Sequence, residues 1–382
     1  MRVAGYGMRD AGCGIRDAGC GIRDAGCPRG QGSQPEKPGL FGKVGFLRQT
    51  MLAGDVKAMD FLPTAPLANL KLRARLARRV REFFDGRGFL EVETPALSAD
   101  TVVDRHLDPL RVTLLDDPRE PQVGRTVWLQ TSPEFGMKRL LAAGATAIYQ
   151  IAHVFRGGER GAWHNPEFTM VEWYRAGDGM PEGMQLLADL VHELLGMGAA
   201  QRLSYRQAFL THVEVDPLTA TGLELVEVAR RRGLASPPGL DVADRDAWLD
   251  LLLVECVQPH LGQRRPTIVY DFPASQAALA RVRDEDPPVA ERFELFVRGV
   301  ELANGYHELL DPDLLRTRNA RSNQLRRADG KYTLPEDSRL LAAMQRGLPP
   351  CAGVALGFDR LVMLAAGATD IAQVLAFPVE RA

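Results

Sequence analysis

The strongest constraint on the fold is a strand-loop-strand unit, VFRGGERGAWHNPEFTMVEWY, at residues 154–174. One predicted strand ends at Arg156, a polar glycine-rich loop follows, and a second strand continues to the end of the unit. Side chains alternate along a strand with period 2, so Phe168, Glu172 and Tyr174 share one face. An aromatic ring, a carboxylate and a phenol beside an arginine can hold a nucleobase, a phosphate and an ammonium group. Taken alone, the unit is better explained as a half-buried hairpin with a surface salt bridge.

A second hairpin is predicted for ERFELFVRGVELANGYHEL, residues 291–309, with its turn at residues 298–299. In a hairpin with a two-residue loop, Glu294 and Glu301 fall on the same side. Two carboxylates held together repel each other unless a cation bridges them, and oxygen ligands suit Mg²⁺ bound to nucleotide phosphates. This acidic face is extended by Asn304 and Glu308. Any one of the glutamates by itself is better explained as a solvated residue on an exposed strand.

The third informative segment is CAGVALGFDRLVML, residues 351–364, a predicted strand of small residues that runs into a helix near Gly357. Arg360 then lies in the first helical turn, where backbone N–H groups and the helix dipole favour an anion such as a γ-phosphate. The alternative is an ion pair of Arg360 with Asp359 or with a neighbouring carboxylate. The segment on its own does not decide between the two.

The beginning of the chain differs in composition from the rest. Residues 7–27 are three near copies of a seven-residue unit, GMRDAGC, GIRDAGC and GIRDAGC, and linker-like sequence follows. The paired glycines of each unit disfavour a stable heptad helix, so a low-complexity tail is expected, with a thiol or metal array as the alternative. The chain therefore divides into an extension, residues 1–58, and a folded domain, residues 59–382. A start codon placed upstream of Met51 or Met59 is a further explanation of the extension.

The remaining sequence predicts an α+β domain, an antiparallel β-sheet flanked by helices. From Leu67 onwards, apolar residues recur at helical spacing with Lys and Arg between them, which predicts a basic helix with a solvated face or a surface for an acidic partner. The segments at residues 149–155 and 168–174 have the pattern of antiparallel strands. A helix is expected at residues 181–197, followed by mixed helical and loop sequence to about residue 290.

Composition and charge argue against several classes of protein. With 45% hydrophobic residues and a formal net charge of -2, the chain lacks the cationic excess on which broad DNA binding depends. No apolar run is long enough for a membrane span and no apolar signal core is present, so a cytoplasmic location is expected. Three of the five cysteines, Cys13, Cys20 and Cys27, lie in the repeat, and Cys256 and Cys351 form no disulfide framework.

Together, the three informative segments resemble the signature motifs of the class II aminoacyl-tRNA synthetases, in particular the lysyl branch. The match spans about residues 65–382 and includes GFLEVETPAL at residues 88–97, TSPEFGMKRLL, HNPEFTMVEWY and ELANGYHEL. The resemblance implies that residues 59–382 have the class II synthetase catalytic fold and use ATP and Mg²⁺. It also implies a homodimer, formed through the motif around Pro95.

The resemblance assigns a nucleotide site. Arg156 would hold the α-phosphate, while His164 and Arg360 would hold the γ-phosphate. Phe168 would stack on adenine, and the two arginines would be catalytic because they stabilise developing charge. The site would be completed by Gly158, Glu159, Asn165, Glu301, Leu302 through its backbone, and Gly357. Gly158 departs from the family pattern, which has a glutamate there.

The resemblance also implies a pocket for a lysine-like amino acid. Glu134 and Glu172 would bind the ammonium nearer the carboxylate, whereas Tyr174 and Glu308 would bind the terminal ammonium of the side chain. The implied pocket residues are Ser132, Pro133, Glu134, Glu172, Tyr174, Asn304, Glu308 and Ala355, and the implied Mg²⁺ ligands are Glu294 and Glu301. Ser132 and Ala355 depart from the synthetase pattern and would reshape the pocket.

The sequence before the first motif is too short for the anticodon-binding OB-fold domain of the lysyl-tRNA synthetases, and a catalytic domain without it is poorly suited to charging one tRNA. This arrangement is similar to the elongation factor P (R)-β-lysine ligase family. Its members activate β-lysine as an adenylate and transfer it to the ε-amino group of one lysine of elongation factor P. The alternatives are a stand-alone lysyl-adenylate-forming enzyme that charges tRNA or a carrier, and a non-catalytic paralogue. The choice between (R)-β-lysine and lysine stays open.

Overall fold

The computed structural model describes residues 61–382, and the repeat with its three cysteines lies outside the described residues. Residues 63–382 form one unit with a large and a small sheet. The helices are α1 Leu67–Asp85, α2 Glu134–Ala142, α3 Met180–Leu195, α4 Tyr205–His212, α5 Gly222–Arg231, α6 Arg245–Leu252, α7 Pro312–Ala328, α8 Arg339–Arg346 and α9 Phe358–Ala366. The strands are β1 Leu90–Glu91, β2 Leu97–Ser98, β3 Leu110–Leu115, β4 Gly124–Leu129, β5 Ala147–Phe155, β6 Glu167–Ala176, β7 Gln201–Ser204, β8 Thr267–Pro273, β9 Val282–Arg283, β10 Val289–Val297, β11 Val300–His307 and β12 Cys351–Gly357.

The large sheet confirms the predicted α+β class. Its strand order is β1-β5-β6-β12-β11-β10-β8-β7, with β9 beside β10. Pairing is parallel at the two edges, β1 with β5 and β7 with β8, and antiparallel between the strands in the middle. The small sheet has the order β2-β4-β3. Among the described residues, no helix combines the length and the apolar character that a bilayer-spanning segment requires.

One face of the large sheet is covered by helices. Val171 and Trp173 on β6 and Val354 and Leu356 on β12 belong to a buried apolar cluster with residues of α1, α3 and α9. Because side chains alternate along a strand, the neighbouring residues of β6 and β12 point to the other face. The opposite face carries polar side chains as well as a smaller apolar cluster, in which Ile148 and Tyr174 pack with residues of α2, α7 and α8.

Helix α1 begins at Leu67 as predicted, and Leu76, Val80 and Phe83 are buried. The expectation of a solvated basic face is wrong at Arg73. Its guanidinium forms an ion pair with Asp359 of α9 and donates a hydrogen bond to the Thr169 hydroxyl, with 2.7 Å between the heavy atoms. This arginine therefore ties α1 to α9 and to β6.

The expectation of helix and loop sequence up to about residue 290 is wrong in three places. The two-residue strand β9, Val282–Arg283, pairs with β10. Residues Gln201–Ser204 form β7 and residues Thr267–Pro273 form β8, which pairs with β10. Both strands are short, and they pair with each other across a long stretch of intervening chain. Such strands have little local signal, because their hydrogen bonds are made only in the assembled sheet.

Candidate active site

A row of directly paired residues runs across the face of the large sheet that lies opposite α1, α3 and α9. The row consists of Gln150, Glu172, Ala355, Asn304 and Glu294, on β5, β6, β12, β11 and β10. Residues directly opposite each other in paired strands have their side chains on the same face. The predicted metal and amino-acid residues therefore belong to one surface, although they come from three distant parts of the sequence.

The second hairpin contains a bulge that the sequence did not reveal. Its turn is at Arg298 and Gly299, which both have positive φ (51° and 74°), as a tight two-residue hairpin requires. The register shifts after Leu295, which pairs with Ala303, whereas Phe296 pairs with Glu301. An extra residue therefore lies in β11 opposite the shift, and it places Asn304 directly across from Glu294.

Glu294 and Glu301 do line one cavity, so the predicted convergence of these two side chains is present. The side chain of Leu302, which follows Glu301, is fully buried in the apolar core. A hairpin without the bulge would have turned Asn304 to the opposite face. The bulge thus explains how Glu294, Glu301 and Asn304 belong to a single site.

A second cavity lies over the strand-loop-strand unit. The predicted nucleotide residues that line it are Arg156, Glu159, His164, Asn165, Phe168, Gly357 and Arg360. The guanidinium of Arg156 lies 5.0 Å from the centroid of the Phe168 ring and donates to the Thr131 carbonyl. Trp163, Asp359 and Ile371 also line this cavity and were not predicted. Gly158 has a left-handed backbone (φ 79°) in the loop and is not among the lining residues.

The charges in this cavity suit a polyanion. Arg360 is buried and donates to the Glu301 carbonyl (2.9 Å) and to His164, with 2.6 Å between Nη2 and Nε2. Burial, followed by the charges of Arg360 and Arg156, lowers the pKa of His164 to about 3. Two guanidinium groups, a neutral imidazole and the Glu159 carboxylate, which lies 3.7 Å from Arg156, thus surround the space. The alternative of an Arg360–Asp359 ion pair is not what the structure has, because Asp359 pairs with Arg73.

Asn165 lines the nucleotide cavity but is held by other parts of the chain. Its amide donates to the Glu167 carbonyl over 2.6 Å, and its oxygen accepts from the Val379 backbone N–H over 3.1 Å. This side chain joins the loop to residues near the C-terminus. These two contacts add to the backbone hydrogen bonds between Gly161 and His164 that hold the loop.

A pocket of carboxylates lies further along β6, on the same face as Phe168. Glu172 is buried and accepts hydrogen bonds from the Ser132 hydroxyl (2.7 Å) and the Tyr174 hydroxyl (2.6 Å). The Ser132 oxygen in turn accepts from the backbone N–H of Glu134, which follows Pro133 at the start of α2. Burial, followed by the charge of Glu134, raises the pKa of Glu172 to about 7. Four of the predicted amino-acid residues, Ser132, Glu134, Glu172 and Tyr174, are thus brought together.

Sequence reasoning missed Lys138, the cation inside this pocket. Its Nζ lies 2.5 Å from a carboxylate oxygen of Glu134 and 2.5 Å from one of Glu308, and its side chain is 2% exposed. Burial lowers the pKa of Lys138, but the charges of the two glutamates outweigh burial, so the pKa is raised. Burial raises the pKa of Glu308 to about 8 although Lys138 opposes the shift. One sequence feature could have indicated Lys138: it follows Glu134 by four residues, and this spacing places both side chains on one side of a helix.

Gly353 on β12 makes room for this pocket. A Cβ atom on Gly353 would lie 2.2 Å from Tyr174 Cε1 and 2.3 Å from Glu308 Oε1. Both distances are far below van der Waals contact. A residue without a side chain is therefore needed where β12 passes under the phenol and the carboxylate.

Asn304 is engaged with a second unpredicted residue, Arg292. The Arg292 guanidinium donates to the Asn304 side-chain oxygen (3.2 Å) and forms an ion pair with Glu294, while the Asn304 amide donates to the Tyr306 hydroxyl (2.7 Å). In this structure Asn304 thus lies nearer to the Glu294 side of the site than to the carboxylate pocket. Arg292 is buried and compensates the charge of Glu294.

The donor set at Glu294 and Glu301 fits a magnesium ion that arrives with a nucleotide. Among residues 61–382, no three His, Cys, Asp or Glu side chains are grouped so that they could hold a metal by themselves. Burial, followed by the charge of Glu294, raises the pKa of Glu301 although Arg360 and Arg292 oppose the shift, so a bound cation would favour the ionised carboxylate. Mg²⁺ is commonly bound through one or two carboxylates, with water and substrate phosphates as the other ligands.

Comparison with known proteins agrees with this geometry. The sequence model of the family described as tRNA synthetases class II (D, K and N) matches residues 55–381. A protein of Yersinia enterocolitica serotype O:8 / biotype 1B named elongation factor P--(R)-beta-lysine ligase is 48% identical over 320 residues, which are 84% of this chain and 98% of that protein. Proteins with the same name from Edwardsiella ictaluri and Proteus mirabilis are each 49% identical, over 84% and 85% of this chain and 98% of their own lengths.

Nearly half of all residues are identical over most of this chain and almost the whole of those relatives. The three informative segments of the sequence lie within the matched region. This chain therefore belongs to the class II tRNA synthetase (D, K and N) family and, within it, to the elongation factor P (R)-β-lysine ligases.

Proposed function

We propose that this protein is an ATP-dependent ligase that activates (R)-β-lysine as an adenylate and transfers it to the ε-amino group of a lysine on elongation factor P. The observation that carries the proposal is a cationic cavity and a carboxylate pocket on one face of one sheet. Phe168 and Glu172 are four residues apart on β6, which corresponds to roughly 13 Å. A nucleotide in the cationic cavity would thus extend its phosphates toward an amino acid in the carboxylate pocket.

In the first step, a carboxylate oxygen of the amino acid forms a bond with the α-phosphorus of ATP. The bond from that phosphorus to the β-phosphate oxygen breaks, and pyrophosphate leaves. Arg156 and Arg360 bind the phosphates and stabilise the charge that develops in the transition state. Phe168 stacks on adenine, and His164, Asn165 and Glu159 fix the nucleotide within the loop. No protein nucleophile is needed, because the enzyme acts mainly by positioning the two substrates.

Glu294 and Glu301 would hold Mg²⁺ against the nucleotide. When bound, the ion would neutralise phosphate charge and polarise the phosphoryl group. Arg292 keeps Glu294 in place through their ion pair and holds Asn304 beside it. These contacts fix one wall of the metal site before any nucleotide arrives.

The carboxylate pocket would recognise the amino acid through its two ammonium groups. Glu134 and Glu172 would bind the ammonium nearer the carboxylate, and Tyr174 and Glu308 the terminal one. Buried ammonium groups are tolerated only against carboxylates and hydrogen-bond acceptors, and this pocket supplies both. Ser132, Pro133 and Ala355 shape the walls of the pocket.

In the second step, the ε-amino nitrogen of the acceptor lysine attacks the acyl carbon of the adenylate. The bond from this carbon to the phosphate oxygen breaks, AMP leaves, and the amine loses a proton. We also infer that the enzyme acts in the cytoplasm as a homodimer through the motif around Pro95, and that residues 59–382 form its catalytic domain while residues 1–58 form an extension.

The proposal is tested with the purified protein, ATP and radiolabelled (R)-β-lysine, offered either elongation factor P or tRNA. Covalent label on elongation factor P, lost when its acceptor lysine is replaced, is the expected result. Label on tRNA alone would reject the proposed acceptor. L-lysine in a parallel reaction measures the preference between the two amino acids, and an Arg156→Met variant is the inactive control.

A further inference from the structure

We propose that Lys138 is a positioning residue: its ammonium group fixes Glu134 and Glu308 and sets the net charge of the pocket, so that the pocket selects an amino acid with two ammonium groups. This inference rests on the proposed function and deepens it. Neither the family resemblance nor the names of the relatives assign a role to this lysine.

Lys138 lies in the carboxylate pocket and contacts its carboxylates directly. One ammonium bridges the carboxylates of two different elements, Glu134 in the first turn of α2 and Glu308 just after the end of β11. The same Nζ lies 5.9 Å from the centroid of the Tyr174 ring. All of these side chains are buried, so the bridge is not weakened by solvent in the way that a surface ion pair is.

The ammonium group of Lys138 determines the net charge of the pocket. When fully ionised, Glu134, Glu172 and Glu308 carry three negative charges, and Lys138 supplies one positive charge. The remaining charge equals that of two ammonium groups. A monoamino acid would leave one buried carboxylate without a counter-charge, which is unfavourable in a low-dielectric pocket. The internal lysine thus makes the pocket complementary to a diamino acid.

Several titratable groups face Lys138 from the elements packed around it. They are Glu134 on its own helix, Glu172 and Tyr174 on β6, Glu308 after β11 and Cys351 on β12. Without the ammonium, the glutamates would be held together with no internal cation. They would then retain protons to higher pH, and a protonated carboxyl attracts an ammonium only weakly.

The test compares the full-length wild-type protein with Lys138→Met and Lys138→Arg variants in amino-acid-dependent ATP–pyrophosphate exchange from pH 6 to pH 9. For Lys138→Met we expect the KM for (R)-β-lysine or L-lysine at pH 7 to rise at least about tenfold, and the fall of this KM with rising pH to move to higher pH than in the wild type, whereas the KM for ATP stays unchanged. Lys138→Arg keeps the charge and should keep the wild-type pH profile.

The matched control is Arg105→Met. Arg105 also bridges two carboxylates, Asp244 at 2.5 Å and Asp329 at 2.7 Å, but lies outside both cavities. We expect this variant to lose stability without a change in the pH profile of the amino-acid KM. If Lys138→Met keeps the wild-type amino-acid KM and pH profile, or if Arg105→Met changes them equally, the role proposed for Lys138 is wrong.

A second measurement needs no folded Lys138→Met protein. In wild-type protein labelled with ¹⁵N-lysine, the Nζ resonance of Lys138 should shift when (R)-β-lysine or L-lysine is added and should not shift with a non-hydrolysable ATP analogue alone. An Nζ resonance that does not shift with either amino acid would overturn the proposal. A wild-type protein that fails in pyrophosphate exchange with both amino acids would instead refute the proposed function, and this titration would still decide whether diamino acids bind at Lys138.

Discussion

Arg360 donates a hydrogen bond to His164, with 2.6 Å between Nη2 and Nε2. A guanidinium has no acceptor, so Nε2 of the imidazole must be unprotonated and the single ring proton lies on Nδ1. The low pKa of His164, about 3, agrees with a neutral ring. His164 therefore carries one N–H donor, at Nδ1, and no charge, and the positive charge of the cavity comes from the arginines.

Replacing Arg360 with Met should raise the pKa of His164, because the charge of Arg360 is the second largest cause of its low value after burial. The KM for ATP should rise by about a hundredfold, since a hydrogen bond to a charged group contributes roughly 1.5–3 kcal/mol. The imidazole titration is measured by NMR in both proteins. A wild-type His164 that titrates near its ordinary value of 6.5 would contradict the neutral ring.

Replacing Glu308 with Gln should remove the preference for a side-chain ammonium. We expect the KM for lysine or β-lysine to rise by about a hundredfold, with little change in the KM for ATP. Norleucine, which lacks the terminal ammonium, should bind the variant more tightly than the wild type, because no buried carboxylate is then left without a counter-charge. A collapse of ATP affinity with unchanged amino-acid selectivity would show that Glu308 has another role.

The pH dependence of amino-acid binding should also change in this variant. The pKa of Glu308 is about 8 and that of Glu172 about 7, both above the ordinary 4.5, so the KM of the wild type should fall as the pH rises from 6 to 9. The Glu308→Gln variant should lose the upper part of this fall. The raised pKa of Glu308 contributes stability below about pH 4.5 that is lost as the pH rises through about 8, so the free energy of unfolding of the variant should vary less over that range.

The Mg²⁺ requirement should depend on both carboxylates of the second hairpin. Glu301→Gln and Glu294→Gln should each raise the Mg²⁺ concentration at half-maximal pyrophosphate exchange by about tenfold or more, since a carboxylate ligand is lost. Glu291→Gln is the matched control, because Glu291 lies on the same strand but pairs with His307 outside the cavity. Binding of Mn²⁺ with a nucleotide, followed by electron paramagnetic resonance, provides a readout independent of turnover. Equal effects in all three variants would refute the metal assignment.

The local sequence pattern was sufficient to predict those helices and strands whose hydrogen bonds join residues that are close together in the sequence. The hairpin of β5 and β6, helices α1 and α3, and the turn at Arg298 and Gly299 were predicted because each has its own periodicity or turn residues. Strands β7 and β8 were missed because their partners are supplied by the assembled sheet. The α+β class followed from the predicted elements, and the resemblance to the synthetases supplied the rest of the fold.

The site was predicted in part by the same logic. The shared face of Phe168, Glu172 and Tyr174 followed from period 2, whereas the row from Gln150 to Glu294 depends on the register of five strands, which no single segment specifies. Lys138 has a clear local signal, but a lysine four residues after a glutamate is common on solvated helices. Only its burial between two carboxylates distinguishes it.

Substitution of Gly353 tests how closely β12 packs against the side chains of the amino-acid pocket. In Gly353→Ala the added Cβ would approach Tyr174 and Glu308 to 2.2 and 2.3 Å, and neither side chain has free space because both are buried. Overpacking of this kind costs roughly 1–3 kcal/mol, and the displaced groups are those proposed to bind the terminal ammonium. We therefore expect a lower free energy of unfolding and a higher amino-acid KM.

The nucleotide cavity should be spared in Gly353→Ala, since Gly357 and Arg360 follow four and more residues later along the chain. The KM for ATP is therefore expected to stay close to that of the wild type. Gly198→Ala is the matched control, because a Cβ there would meet no atom within 4 Å and its backbone is not left-handed. Denaturant unfolding and pyrophosphate exchange on both variants separate the two effects. If Gly353→Ala has the stability and amino-acid KM of Gly198→Ala, the phenol and the carboxylate are free to move, and neither holds the terminal ammonium in a fixed place.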